Sequence, residues 1–157
     1  MIKESKWDQY GFPRFMSDIK GITIHESSGV NDTAAELFSF YNDISKENSA
    51  VHYLVDANEV IEVMPLNWSV YHTGKGKDFG NMYTIAVMVC SNLNDELYEA
   101  AVDRAVSLIN ELMEQFRLTQ DEIFFHYNFN IKVYCPKKLI AEYGTAKNFA
   151  YQKLQEE

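Results

Sequence analysis

Residues 84–90 constrain the fold of this chain more than any other segment. They read Thr-Ile-Ala-Val-Met-Val-Cys, so apolar side chains occupy both faces of the strand that they predict. A strand of this kind is expected at the centre of a sheet whose two faces are both covered. The segment therefore predicts a layered α/β domain.

The flanking segments supply the rest of such a domain. A polar turn at residues 56–59 predicts a hairpin, which makes the sheet mixed rather than all parallel. Thr33 and Glu36 fit a capping box at the start of a helix. We therefore expect a single mixed β-sheet flanked by helices. Strands are predicted at 21–25, 51–55, 60–64, 68–72, 84–90 and 123–126, helices from Thr33, at 94–117, after Pro136 and at about 145–155, and a turn at 11–13.

The bulk properties of the chain limit its partners and its location. Its 157 residues suit one domain, residues 1–157. A formal net charge of −9 argues against a nucleic-acid partner, and no stretch is long and apolar enough to span a membrane. The polar first residues predict no secretory signal, so we expect synthesis in the cytoplasm, or a piece of a longer chain. Nothing in the sequence indicates an oligomeric state.

Three candidate metal ligands stand at informative places. His25 and His126 each close a short apolar strand, and Cys135 follows His126 by nine residues. Two imidazoles and one thiolate suffice for zinc with one position left open, which is the arrangement of a hydrolytic site. Alternatives stay open, because a lone histidine after an apolar run is more often a hydrogen-bonded core residue. Cys90 is predicted to be buried, and a Cys90–Cys135 disulfide remains a second alternative.

Five segments around these residues carry a family resemblance. They are 22–28 (Ile-Thr-Ile-His-Glu-Ser-Ser), 49–56 (Ser-Ala-Val-His-Tyr-Leu-Val-Asp), 64–67 with 71–74 (Met-Pro-Leu-Asn and Tyr-His-Thr-Gly), 80–87 (Gly-Asn-Met-Tyr-Thr-Ile-Ala-Val), and 126–128 with 135–136 (His-Tyr-Asn and Cys-Pro). In this order they resemble the N-acetylmuramoyl-L-alanine amidase type 2 family, which includes phage endolysins and is related to peptidoglycan recognition proteins. The resemblance runs from about residue 20 to 142.

The resemblance implies a function and a set of site residues. It implies zinc held by His25, His126 and Cys135, and hydrolysis of the amide between the lactyl group of muramic acid and the L-alanine of the stem peptide. The substrate would be peptidoglycan or a muropeptide at the bacterial cell wall, and the missing signal suggests a phage or prophage origin. Lys132 is expected to stabilise the oxyanion, with an exposed loop lysine as the alternative. His72, Asn81 and His52 are the expected substrate-binding residues, and His72 is the better candidate of the two histidines because it precedes a glycine-rich loop. For His52 the alternative is a core or supporting residue of a strand, and for Asn81 it is a residue that fixes the turn before the central strand.

The chain also departs from the family pattern. Met88 stands where many members carry a glutamate that serves as general acid and base, and a thioether cannot move a proton. Val51 stands where other relatives carry a tyrosine, and Lys132 lies three residues before Cys135 rather than two. Three hypotheses follow: a zinc amidase, a degenerate homologue that binds muropeptide without efficient cleavage, and a metal-free domain with structural histidines.

Overall fold

The computed structural model describes residues 1–28, 33–42, 48–74, 76–91 and 94–154. The strands are β1 (Gly11–Pro13), β2 (Gly21–Glu26), β3 (Tyr53–Val55), β4 (Val60–Glu62), β5 (Trp68–Val70), β6 (Thr84–Val89) and β7 (Ile123–Phe125). The α-helices are α1 (Ala34–Asn42), α2 (Phe79–Tyr83), α3 (Asp95–Phe116), α4 (His126–Phe129), α5 (Lys137–Tyr143) and α6 (Ala146–Lys153). Residue 155, the predicted end of the last helix, lies outside the described residues.

Five strands form one mixed sheet in the order β4-β3-β6-β2-β7. Strands β3, β6, β2 and β7 run parallel to their neighbours, whereas β4 pairs antiparallel with β3. The central strand is β6, as its apolar sequence predicts, and the hairpin makes the sheet mixed. The expectation of a mixed sheet flanked by helices is therefore confirmed.

Successive side chains along each strand point to opposite faces of the sheet. Both faces are apolar, and helices and loops cover both of them. On one face Ile24 and Val87 belong to a large apolar cluster with Ile109 of α3 and Phe149 of α6. On the other face Ala86 belongs to a second cluster, which includes residues from α1 and from the N-terminal segment. This double burial explains why β6 has no polar face.

One local prediction is wrong. Residues 11–13 form β1, which pairs antiparallel with β5 in a separate two-stranded sheet, rather than a turn. A Cβ on Gly11 would lie 1.7 Å from the carbonyl oxygen of Ser69, so glycine is needed here for close backbone approach. Glycine is typical both of turns and of close approaches between backbones, and the sequence alone does not distinguish the two.

The register of the sheet places two of the predicted site residues at the same edge, where the parallel strands end. His25 pairs with Met88 on β6, and Ile24 pairs with Phe125, the last residue of β7. The residue after Phe125 is His126, so both histidines leave parallel strands at the same edge. Within the part of the chain that the structure describes, no helix has the length and apolar character needed to cross a membrane.

Candidate metal centre and pocket

Three side chains that are far apart in the sequence meet at the carboxyl edge of the sheet. One ligand atom each from His25, His126 and Cys135 lies within 4.8 Å of the others. The rings of His25 and His126 have centroids 4.7 Å apart. The backbone N–H of Tyr127 donates to the carbonyl of Cys135 (2.9 Å), which folds the loop back beside His126. Nitrogen, nitrogen and sulfur so close together form a donor set that fits zinc.

The protonation states of these groups suit a metal ligand set. Burial, with His72 and His126 nearby, lowers the pKa of His25 well below its ordinary value. Burial also lowers the pKa of His126, and it raises that of the Cys135 thiol to about 11. The two imidazoles are therefore neutral near pH 7, with lone pairs to offer. The thiol carries a proton, which a bound metal would displace.

Cys90 and Cys135 are not joined by a disulfide, and Cys90 is completely buried. The alternative of a disulfide between them is therefore wrong, and Cys90 occupies the core as predicted. Cys135 is thus left available as a ligand.

The side chain of His72 is in hydrogen-bond contact with that of His25. Its Nδ1 is 2.9 Å from Nε2 of His25, and its Nε2 is 3.0 Å from the carbonyl oxygen of Gly80. The two rings meet edge to face, with centroids 5.1 Å apart. His72 is only 8% exposed, although it contributes to the pocket wall. Burial lowers its pKa as well, so its ring is neutral at pH 7.

Asn81 is fully buried and organises the loop that carries His72. Its Oδ1 accepts from the backbone N–H groups of His72 (2.8 Å) and Thr73 (3.0 Å). Its Nδ2 donates to the carbonyls of Gly74 (2.9 Å) and Gly76 (3.0 Å). Asn81 does not line the pocket. Its position suits the support of His72 better than the substrate contact expected from the sequence.

His52 is also fully buried and away from the pocket lining. Its Nδ1 accepts from the N–H of Ala86 (2.9 Å), so its Nε2 carries the hydrogen and donates to the carbonyl of Trp68 (2.8 Å). Burial and the nearby guanidinium of Arg14 lower its pKa to about 3. Both nitrogens are engaged inside the fold, which leaves no ring atom of His52 for a substrate.

Three lysines lie near Cys135 in the sequence, and two of them line the pocket. Lys132 is exposed and absent from the pocket lining, whereas Lys137 and Lys138 line it. Lys138 donates to the carbonyl of Ser91 (2.6 Å) and lies over the ring of Tyr98. Lys137 is exposed at the start of α5. The sequence offered no reason to prefer Lys137, because its approach depends on how α5 docks.

Glu26 follows the candidate ligand His25 at the end of β2, and it is among the residues that line the pocket. Its carboxylate accepts from the backbone N–H groups of Lys138 (2.8 Å) and Leu139 (3.1 Å), and from the hydroxyl of Tyr98 (2.6 Å). These three donors occupy the carboxylate at the N-terminus of α5. Glu26 is thus a connection between β2 and the segment that carries Cys135.

The three candidate ligands line a pocket of about 580 Å³. Met88 and Tyr41 form part of its wall, and the Tyr41 hydroxyl lies 3.6 Å from the sulfur of Met88. No motif in the sequence marks Tyr41, so its hydroxyl is not among the predicted site residues. The residue of β6 that pairs with His25 is therefore a methionine, Met88, and the phenol of Tyr41 lies beside its thioether.

The chain resembles known amidases in sequence and in fold. The family model described as N-acetylmuramoyl-L-alanine amidase matches residues 15–138. The N-acetylmuramoyl-L-alanine amidase XlyB of Bacillus subtilis (strain 168) is 33% identical over 123 residues, covering 77% of this chain and 38% of that protein. The N-acetylmuramoyl-L-alanine amidase CwlA of the same strain is 31% identical over 123 residues, covering 77% of this chain and 44% of that protein.

The chain thus spans less than half the length of these two relatives. Among solved structures, that of PlyL superposes with a TM-score of 0.84 at 22% identity, covering 98% of this chain and 94% of that one. At this level of sequence identity, the similarity indicates a shared fold and nothing more.

Proposed function

The chain belongs to the N-acetylmuramoyl-L-alanine amidase family, and from this we propose that it is a zinc-dependent hydrolase of peptidoglycan. The bond cleaved would be the amide between the lactyl group of muramic acid and the L-alanine of the stem peptide. The observation that carries the proposal is the convergence of His25, His126 and Cys135 in one pocket. We further propose that residues 1–157 act as one amidase domain at the bacterial cell wall, as a phage or prophage enzyme would.

His25, His126 and Cys135 would hold the zinc, since two neutral imidazoles and a thiolate leave one position open. Zinc bound there would polarise the substrate carbonyl and lower the pKa of a water towards ~7. The chain itself supplies the rest of the chemistry. The pocket wall orients the amide, and cationic or hydrogen-bonding groups at its rim stabilise the negative charge that develops on the carbonyl oxygen.

Proton transfer to the leaving amine needs a group other than a carboxylate on β6. Met88 has no ionisable proton, and the carboxylate of Glu26 already accepts from the first backbone N–H groups of α5. The hydroxyl of Tyr41 stands beside Met88 on the pocket wall. We propose that Tyr41 donates this proton, and that Lys132 or Lys137 stabilises the oxyanion.

The test is the identity of the cleavage product. Zinc-loaded protein is incubated with purified peptidoglycan, and the fragments are analysed by mass spectrometry. The proposal expects stem peptides with a free N-terminal L-alanine and glycan strands that keep their lactyl groups. The His126→Ala variant serves as the inactive control. Cleavage at a glycosidic bond or between two amino acids would contradict the proposal.

A second candidate function has one observation in its favour, which is Met88 on the pocket wall. A homologue that binds muropeptide without efficient cleavage would keep the groove and lack the acid. Loss of such a group costs roughly 10²–10⁴ in rate. If the wild type binds a muramyl peptide without turnover and Met88→Glu gains hydrolysis, the binding function is correct. Turnover by the wild type excludes it.

A further inference from the structure

His72 connects a metal-ligand histidine to a carbonyl that can only accept a hydrogen bond. Its Nε2 lies 3.0 Å from the carbonyl oxygen of Gly80, and its Nδ1 lies 2.9 Å from Nε2 of His25. The hydroxyl of Thr84 also donates to Gly80 (2.7 Å), so its oxygen, 3.4 Å from Nε2 of His72, is left as an acceptor. Both groups that face Nε2 of His72 therefore require a hydrogen on that nitrogen.

The position of one hydrogen determines the next. A neutral imidazole carries a hydrogen on one nitrogen and a lone pair on the other. With the hydrogen of His72 on Nε2, its Nδ1 is an acceptor, and Nε2 of His25 must donate to it. The lone pair of His25 then resides on Nδ1, which is the only ring atom left to bind a metal.

The His72 ring is held firmly in this position. Its backbone N–H donates to Oδ1 of Asn81 (2.8 Å), and the residue is only 8% exposed to solvent. Asn81 in turn anchors the loop through the carbonyls of Gly74 and Gly76. An acceptor aimed at His25 is thus built into the fold before any ligand binds.

We infer that His72 is a positioning residue that selects the Nε2–H tautomer of His25 and so presents Nδ1 of His25 to the metal. The inference rests on the proposed metal site, but not on the reaction. Partners of this kind fix the orientation of a ligand imidazole and raise its basicity, and their removal typically costs 10–100-fold in metal affinity.

A matched pair of variants tests the hydrogen bond. In His72→Asn, Oδ1 occupies the place of Nδ1 and can still accept from His25. In His72→Leu, a methyl group of similar size occupies that place. Both variants lose the bond to Gly80, so they differ mainly in the acceptor. Zinc affinity is measured by competition with a chromophoric chelator, and folding is checked by thermal melting without metal.

The expected result is a loss of about 10–100-fold in zinc affinity for His72→Leu, with a clearly smaller loss for His72→Asn. Equal affinities of the two folded variants would overturn the inference while leaving the metal site intact. Failure of the wild type to bind zinc would instead overturn the proposed function.

A second measurement uses the wild type alone and needs no metal. Long-range ¹H–¹⁵N correlation spectra of the zinc-free protein report which nitrogen of each histidine carries hydrogen. The inference expects hydrogen on Nε2 of both His25 and His72. A His25 ring with hydrogen on Nδ1 would overturn it, whatever the variants do.

Discussion

His52 shows what a single buried imidazole does to the stability of this protein. In the folded state its pKa is about 3, because of burial and the nearby Arg14, whereas in the unfolded chain it is near the ordinary 6.5. Above pH 6.5 neither state binds a proton at this site, so its contribution is complete. Between pH 6.5 and 3 only the unfolded state is protonated, so stability falls with falling pH.

We therefore predict that zinc-free protein loses stability below about pH 6, by about 1.4 kcal/mol per pH unit for each such histidine. His25 and His72 act in the same direction, since their pKa values are also lowered. The His52→Asn variant keeps an acceptor for the N–H of Ala86, and its pH dependence should be shallower by about one proton. Urea unfolding between pH 7 and 5 measures this, and equal slopes for the two proteins would contradict it.

The two candidate oxyanion residues make a second prediction at this scale. Lys137 lines the pocket and Lys132 does not. We expect Lys137→Ala to lower kcat more than Lys132→Ala, by about 10-fold or more if the lysine acts on developing charge. Initial rates on a muramyl peptide, with thermal melting as a check of folding, separate the two. The reverse order would support Lys132, the lysine expected from the sequence.

The sequence predicted the positions of the candidate ligands, but not the hydrogen-bond partners of the other histidines. His25 and His126 could be found because each follows an apolar run, and strand ends at one edge of a parallel sheet converge. The hydrogen-bond partners of His72 and His52 could not be predicted, because they are a carbonyl of Gly80 and an N–H of Ala86 that only the fold brings near. A histidine in a sequence does not reveal which of its nitrogens will be engaged.

At the scale of elements, the candidate metal centre depends on the contacts between α5 and β2. Glu26 ends β2 and accepts from the first backbone N–H groups of α5, while its own N–H approaches the sulfur of Cys135 at 3.4 Å. Unpaired N–H groups at a helix start need such an acceptor. The carboxylate therefore determines where the Cys135 segment rests.

We predict that Glu26→Ala destabilises the protein by about 1–3 kcal/mol, because buried donors lose their acceptor. Glu26→Gln keeps one carbonyl oxygen and should lose less. Urea unfolding of the zinc-free variants measures both values. A Glu26→Ala protein as stable as the wild type would show that α5 is held in place by its apolar contacts alone.

The elements themselves were largely predictable where local chemistry determines them. Asn94 caps α3 by accepting from the N–H of Leu97 (2.9 Å), and Thr33 and Glu36 form the expected reciprocal cap. The strand at residues 11–13 was missed, because its reason is a contact with Ser69 far along the chain. Local signals reveal caps and turns, but not the partner of an edge strand.

The whole molecule is a sheet covered on both faces, with its functional groups gathered at one edge. The order β4-β3-β6-β2-β7 places the third parallel strand in the chain at the centre. The composition of β6 predicts that central place, but which strands flank it depends on the crossovers. That order brings His25, Met88 and His126 together, so the site is a property of the topology as much as of its residues.

Binding of zinc should be visible at this scale as well. A ligand that binds only the folded state stabilises it by about 2.7 kcal/mol at 100 times its Kd. We predict that zinc raises the melting temperature of the wild type and of Cys90→Ala, but not that of Cys135→Ala. Calorimetry with and without zinc measures the shift. A similar shift in Cys135→Ala would place the bound zinc elsewhere.

The zinc content of the folded chain tests the central claim most directly. Native mass spectrometry, after equilibration with zinc and a competing chelator, counts ions bound to each protein molecule. The account predicts one zinc per chain in the wild type and in Cys90→Ala, and none in Cys135→Ala or His126→Ala. A wild type that emerges without zinc, or a Cys135→Ala variant that keeps a full ion, would contradict it.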